Sequence, residues 1–469
     1  MAPSLQSQDA ATSAAARDTA YSIHPYTHLR RHQEAGPLVI VRGEGVRVFD
    51  EAGNAYIEGL AGLWCTALGW SEQRLVEAAA AAMGNLAFYH GFGGKAAAPT
   101  IALAEKLIGM APVPMSKVFF ANSGSEANDT ALKLIWYYNN ALGRPHKKRV
   151  ISRRRAYHGV TVASASLTGL PANHRDFDLP LPMVLHTDCP HAYRESPPGE
   201  SEEEFAERLA EGLEDLILAE EPDTIAAMFV EPVMGAGGVI VPPATYFERI
   251  QPILQRYDIL LVADEVICGF GRTGNMWGCQ TYDIRPDIIT CAKGLSSGYI
   301  PISAVMVSEP IWQAMVAESD KIGLFGHGFT YSGHPVAAAV ALEALTIYEE
   351  RDIVAHVRAM APILQDGLRR FADHPLVGEV RGIGLVAGVE LVEDKASREP
   401  FEPARDVAAH VARRSEAHGL IVRALPGDVI AFSPPLIIEA EDIERMLASF
   451  GEALDDTWTW VRDSGTASS

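Results

Sequence analysis

Three runs of β-branched and apolar residues each deliver a reactive or charged side chain at their end. DIITCAKG closes on Lys293, followed by Gly294 and the flexible GLSSG. ILLVADEV reaches Asp264 and Glu265 after five apolar residues, and KVFFA runs into Asn122, Ser123, Gly124, Ser125 and Glu126. A lysine normally keeps its ammonium in water. One held among apolar residues gives up its proton more readily and can condense with a carbonyl carbon. A carboxylate at the end of a covered strand needs a cation or a hydrogen-bond donor, so one of the pair Asp264 and Glu265 must have a buried partner. The plainer alternative there is a structural ion pair with Arg272 or a helix terminus. A glycine between two serines admits close backbone approach, and the helix that follows offers free N–H groups to an anion, most simply a phosphate. Its plainer alternative is an N-cap made by Ser123 or Ser125.

An amine for a carbonyl, a cradle for a phosphate and a carboxylate that keeps a heteroaromatic nitrogen protonated are together what pyridoxal 5′-phosphate (PLP) requires. These groups act as one site only if the chain brings the three runs to one edge. KVFFA, RVISR, IAAMFVEPV, ILLVADEV and DIITCAK, each separated by a helix-length segment, predict an α/β unit with a parallel sheet covered by helices. Ligands of such sheets sit beyond the carboxyl ends of the strands. The helix after KVFFA has Ala127, Ala131, Leu134, Ile135 and Tyr138 on one apolar stripe. From about residue 335 the pattern becomes one long Ala-rich helix. Strands within VRGIGLVAGVELV, GLIVRAL and DVIAFSPPLII follow, then a final helix from near Glu439. That suits a smaller α+β domain with its boundary near His334 and Pro335.

The 469 residues, 48% hydrophobic and 21% charged, describe a large globular chain with a sizeable core. Sixty Asp and Glu against 39 Lys and Arg leave a charge of -21, which disfavours nucleic acid and anionic membrane surfaces as partners. Five scattered cysteines without a C-x-x-C pair point to a reducing compartment, the cytoplasm by default. Residues 1–20 have neither a basic start nor a continuous apolar stretch and are expected to be a disordered tail rather than a secretory leader. His24, His28 and His32 have helical spacing, but Pro25 interrupts the turn and no carboxylate cluster completes a shell, so no metal is expected. GIGLVAG lies inside a strand-like run rather than between a strand and a helix, so no nicotinamide site is expected either.

NSGSEAND, AYHG, VEPVMGAGGVIVPP, DEVICGFGRTG and AKGLSSGYIPISAV, in this order within about residues 25 to 450, resemble the class III aminotransferases, PLP enzymes of fold type I. The resemblance implies that Lys293 forms the Schiff base, that Asp264 pairs with the pyridine nitrogen and that Ser123, Gly124 and Ser125 hold the phosphate. It gives Tyr157 and Val266 to the two faces of the ring. Thr330, in HGFTYSGHP, would reach the phosphate of the neighbouring subunit's cofactor, which implies a homodimer with shared active sites, open to pairing into a tetramer. Many members carry Gln where this chain has Met234, and a thioether cannot donate the hydrogen bond an amide can. The implied organisation is a tail (1–20), an N-terminal segment of the small domain (21–65), a large PLP-binding domain (66–334) and the C-terminal small domain (335–469).

Within the class, AGLWCTALGW, IHPYTHL and LIVRALPGD are most similar to the ω-amino acid and amine:pyruvate transaminases. That similarity puts Trp64 on the wall of a large subpocket, with Tyr26 and Phe92 reaching in from the partner subunit. It puts Ala236 and Ile267 near the reacting carbon, and Arg423 on a substrate carboxylate. The implied reaction is ping-pong transfer from a primary amine or ω-amino acid to pyruvate or a similar oxo acid. Alternatives on the same site are a polyamine, taurine or β-alanine transaminase, or a PLP aminomutase. The joint presence of Lys293, Asp264 and the Ser-Gly-Ser loop argues against a non-enzymatic scaffold.

Overall fold

The computed structural model describes residues 13–466. A short antiparallel meander comes first, β1 (Ile40–Glu44), β2 (Arg47–Asp50) and β3 (Ala55–Glu58). The central sheet follows with β4 (Lys117–Ala121), β5 (Arg149–Arg153), β6 (Val184–Thr187), β7 (Ile225–Val230), β8 (Leu260–Asp264), β9 (Ile288–Cys291) and β10 (Ser303–Val307). Its order is β4-β10-β9-β8-β7-β5-β6, with β10 antiparallel to both neighbours and every other adjacent pair parallel.

Strands β7 to β10 are buried along their whole length, as continuous apolar runs in a doubly covered sheet must be. Successive side chains serve opposite faces. Met228, Leu261, Ile289 and Met306 enter one core, while Ala227, Leu260, Val262, Ile288 and Val305 enter the other. The helix Gly124–Ala141 covers the second face with its expected stripe, of which Ala127, Ala131, Leu134 and Ile135 are buried. The first face is covered by Phe205 and Leu213 of Glu202–Ala219, by Phe247 and Ile250 of Tyr246–Arg256 and by the Ala-rich Pro335–Glu350.

In the C-terminal part, β11 (Val377–Ile383), β12 (Val386–Leu391), β14 (Arg423–Leu425) and β15 (Val429–Phe432) form an antiparallel sheet in the order β11-β12-β15-β14. Strand β13 (Leu420–Ile421) leaves it to pair in parallel with β3. The N- and C-terminal segments therefore share one sheet, the smaller α+β part of the fold.

Four sequence expectations need correction. Strands β6 and β10 are absent from the sequence reading because β6 (VLHT) has only two apolar residues and β10 runs against the parallel pattern. No helix of regular length separates β8 from β9. Gly269, Gly271 and Gly274 interrupt that segment, which carries one 3-10 turn at Gly278–Thr281. The single Ala-rich helix is two, Pro335–Glu350 and Ile353–Arg369, broken where Asp352 takes a left-handed backbone and its carboxylate caps Ala355 N–H. Residues 14–20, expected to be tail, lie in the helix Ala14–Tyr21, capped by the Ser13 hydroxyl. The first part of that expected tail, 1–12, lies outside the described residues. Among the described residues no helix is long and apolar enough to cross a membrane.

Candidate active site

The carboxyl ends of β4, β5, β7, β8 and β9 open into a cavity of about 890 Å³. Lys293 stands two residues past the end of β9 with a left-handed backbone, φ 48°. Its side chain lines the cavity, with Nζ 5.9 Å from the centre of the Trp64 ring. Burial holds the ammonium's pKa below its usual value, opposed by nearby Cys65, Asp264 and Glu231.

Asp264 ends β8 and is 3% exposed. Its Oδ2 accepts from Asn128 Nδ2 at 2.7 Å and lies 2.8 Å from His158 Nδ1, while Oδ1 accepts the Val266 N–H at 3.1 Å. Asn128 is itself fully engaged, donating also to His158 O at 2.7 Å and accepting from Thr290 Oγ1 at 2.9 Å. Neither Asn128 nor His158 emerges from the sequence reading. The available signal for Asn128 is a polar residue beside Ala127 on the apolar stripe of its helix.

Both carboxylates of the Asp264–Glu265 pair, not one, have buried partners. Glu265 accepts the N–H groups of Cys279 at 2.6 Å and Gly278 at 2.8 Å. Of the two plainer alternatives the helix terminus holds, since Gly278 and Cys279 begin the 3-10 turn Gly278–Thr281, while the ion pair with Arg272 does not form, because that guanidinium donates to Leu385 O and Pro434 O.

At the end of β4, Ser123 is the N-cap of Gly124–Ala141, its hydroxyl accepting from Glu126 N. Ser125 Oγ accepts from Val160 N at 3.1 Å. Both serines and Gly124 line the cavity, so the cap at Ser123 leaves room for the cradle reading. With Glu126 N taken by the Ser123 hydroxyl, the N–H groups of Gly124 and Ser125 are those at this terminus without an intrahelical acceptor, the kind of group that binds an anion. A Cβ on Gly124 would lie 3.0 Å from both methyls of Val266, so the glycine leaves the approach clear.

Tyr157 and Val266 also line the cavity. The Glu231 carboxylate beside them accepts from Tyr157 N at 3.0 Å and Gly235 N at 2.9 Å, and burial pushes its pKa up. Met234 packs away from the cavity among Ala156, Cys189 and Ile240.

On the outer side the cavity is lined by Trp64, Tyr26, Arg423, Ala236 and Ile267. The Arg423 guanidinium lies 5.6 Å from the centre of the Trp64 ring and 6.0 Å from that of Tyr26, a cation held between two aromatic faces. Tyr26 corrects an expectation: it reaches the cavity of its own chain rather than a partner's. Its hydroxyl accepts from Asn173 Nδ2, and its ring lies edge-on to Tyr157. Pro25 and the left-handed φ of 50° at Tyr26 turn the segment back over the site. Thr330 and Phe92 do not line this cavity. Both are exposed, and Phe92 packs near Gly328, close to Thr330 in sequence.

A cavity-facing amine, a helix N-terminus cleared by a glycine and a strand-end carboxylate thus meet in one cavity, and this donor set fits PLP. Comparison with known proteins agrees. The family model described as Aminotransferase class-III matches residues 29–454. The chain is 54% identical over 440 residues to gamma aminobutyrate transaminase 3, chloroplastic, of Solanum lycopersicum, covering 94% of this chain and 84% of that one. The omega transaminase of Pseudomonas jessenii in complex with PMP superposes with a TM-score of 0.94 at 57% identity, covering 96% of this chain and 99% of that chain. A structure described as a transaminase with L-ala gives 0.89 at 58% identity, covering 90% and 100%.

Proposed function

The chain belongs to the class III aminotransferases, enzymes that use PLP, and on that premise we propose that it moves an amino group from a primary amine or ω-amino acid to pyruvate or a similar oxo acid. The observation that carries this reading is Arg423, a cation between Trp64 and Tyr26 in the cavity that Lys293 enters. A planar guanidinium suits a carboxylate, and its aromatic neighbours suit the apolar body of an amine. A second cation, as in a polyamine, would meet like charge there, so anionic ω-amino acids and neutral-bodied amines are favoured over diamines.

Bound in this cavity, PLP supplies the aldehyde and the electron sink of the reaction. Lys293 would hold the cofactor through its aldehyde, and its ε-amine, in the same cavity as the donor, would serve as the base that moves the donor's α-proton. Asp264, held by Asn128 and His158, keeps the ring nitrogen protonated. The N–H groups at Gly124 and Ser125 hold the phosphate, with Tyr157 and Val266 against the ring. Arg423 binds the carboxylate of the oxo acid, and Trp64, Tyr26, Ala236 and Ile267 shape the space for the donor's substituents. Because donor and acceptor use the same cavity in turn, the kinetics are ping-pong.

Thr330 and Phe92 belong, in this proposal, to the active site of a second copy. Phe88, Tyr89, Phe92 and Tyr331 are exposed large side chains, and Phe88 and Tyr331 pack edge to face at 5.6 Å, a surface suited to a homodimer. The five free thiols suit a reducing compartment such as the cytoplasm.

A donor panel with pyruvate tests the reaction: γ-aminobutyrate, β-alanine, taurine, putrescine and both enantiomers of 1-phenylethylamine. Alanine formation from the anionic donors or the aromatic amine, with ketone or aldehyde released, supports the proposal. A PLP-loaded protein that forms no alanine from any of them refutes it, and isomerised donor without free oxo product would identify an aminomutase.

A further inference from the structure

Arg155 takes no part in the steps above, yet it touches two walls of the cavity. Its guanidinium donates from Nε to Gly237 O at 3.1 Å and from Nη2 to Pro426 O at 3.0 Å, with Nη1 3.4 Å from His191 Nδ1. Gly237 follows the cavity residue Ala236. Pro426, itself a cavity residue, opens the turn between β14, which starts with Arg423, and β15.

The position is built to hold this side chain. Arg155 has a left-handed backbone, φ 67°, which residues other than glycine adopt only where the surroundings impose it. A Cβ on Gly169 would lie 2.7 Å from Arg155 N, and one on Gly237 2.0 Å from Arg155 O. The guanidinium passes between Gly238 and Gly427, where a Cβ on either would lie 3.1 Å from Nη2. Behind it, Arg381 donates to Gly238 O at 3.0 Å and to Glu390 at 2.6 Å, and His191 Nε2 lies 3.2 Å from Glu379. Arg155 thus joins the cavity walls to a buried ionic network. Burial, the largest influence on the guanidinium, pulls its pKa down, so the fixed carbonyl dipoles replace water around it.

We propose that Arg155 is a positioning residue for oxo acid recognition: it pins the β14–β15 turn to the Ala236–Gly237 wall and so fixes where Arg423 presents its guanidinium. This rests on the reading of Arg423 as the partner of the oxo acid carboxylate. A short oxo acid has its carboxylate next to the reacting carbon, so it tolerates little displacement of that cation. An amine without a carboxylate does not use it.

The test is Arg155→Met and Arg155→Lys in the PLP-loaded enzyme, with Arg423→Ala in parallel. In Arg155→Met the KM for pyruvate should rise about 10- to 100-fold, the scale of a misplaced binding group, while kcat at saturating pyruvate holds. The half-reaction with 1-phenylethylamine, followed by the cofactor's absorbance, should keep its rate. Amide hydrogen exchange in residues 423–432 should quicken. Arg155→Lys, with one ammonium to share between two carbonyls, should fall between. Unchanged KM with unchanged exchange overturns the proposal, as does equal loss in both half-reactions, which marks a purely structural role. If Arg423→Ala leaves the pyruvate KM unmoved, the carboxylate reading fails by itself. Exchange then decides the pin, quicker exchange in Arg155→Met retaining it and unchanged exchange ending it.

Discussion

Nδ1 of His158 lies 2.8 Å from Oδ2 of Asp264, with the His158 side chain 0% exposed and that of Asp264 3%. The same oxygen accepts from Asn128, and the other accepts the Val266 N–H. Three donors from three different segments offset the desolvation of this carboxylate and prevent its rotation. A cofactor nitrogen would therefore meet a carboxylate already oriented.

Asp264→Asn keeps the volume and removes the charge. The protein should fold and bind PLP, while turnover falls by about 10² to 10³, the usual effect of losing one aimed electrostatic partner. Circular dichroism and kcat measured on the same preparation check both halves. Wild-type rates would remove the proposed role of the carboxylate.

Lys293→Ala should abolish useful turnover if the residue is, as proposed, both the covalent partner and the proton carrier, the latter alone accounting for about 10² to 10⁴. PLP should still bind through its phosphate, measurable by equilibrium dialysis. Near-normal turnover in this variant would refute the assignment.

Asn128→Ala tests stability apart from chemistry. It leaves Asp264 Oδ2, His158 O and the Thr290 hydroxyl each short of one buried partner. The cost should be about 2 to 3 kcal/mol, a small multiple of one unsatisfied buried group, read by urea unfolding of the cofactor-free protein. A loss near zero would mean that water enters to satisfy these groups.

Glu58 should make stability depend on pH. Burial raises its carboxyl from the ordinary 4.5 to about 7, against the lowering effect of the Gly62 and Leu60 N–H groups and Arg272. The folded chain thus holds a proton that the unfolded chain releases. The group's contribution is complete below pH 4.5, is lost as pH rises toward 7, and is constant above that. Glu58→Gln should remove most of this decline and stabilise the protein at pH 8 by about 2 to 3 kcal/mol. Thermal melts of the cofactor-free protein between pH 5 and 8 measure it, and parallel curves for the two proteins would contradict the shift.

The core of the site was legible because its residues stand at the ends of apolar runs. Lys293, Asp264 and the Ser123–Ser125 turn could be found by asking where a covered sheet would deliver polar groups, and the family motifs pointed to the same residues. Their supports were not legible. Asn128 and Asp264 are 136 positions apart, and Arg155 and Pro426 are 271 apart. Tyr26, assigned from the sequence to a partner's cavity, reaches its own because the path of a short Pro-containing turn depends on what it packs against.

By itself, the sequence determined the mostly parallel sheet and which polar residues stand at its carboxyl edge, since apolar periodicity and strand-end residues are local properties of the chain. Only the tertiary structure decided which donors orient Asp264, that Glu265 is satisfied by backbone rather than by Arg272, and what anchors the strand of Arg423. Those outcomes depend on angstrom-scale separations between distant segments, and such separations are fixed by packing, not by sequence spacing.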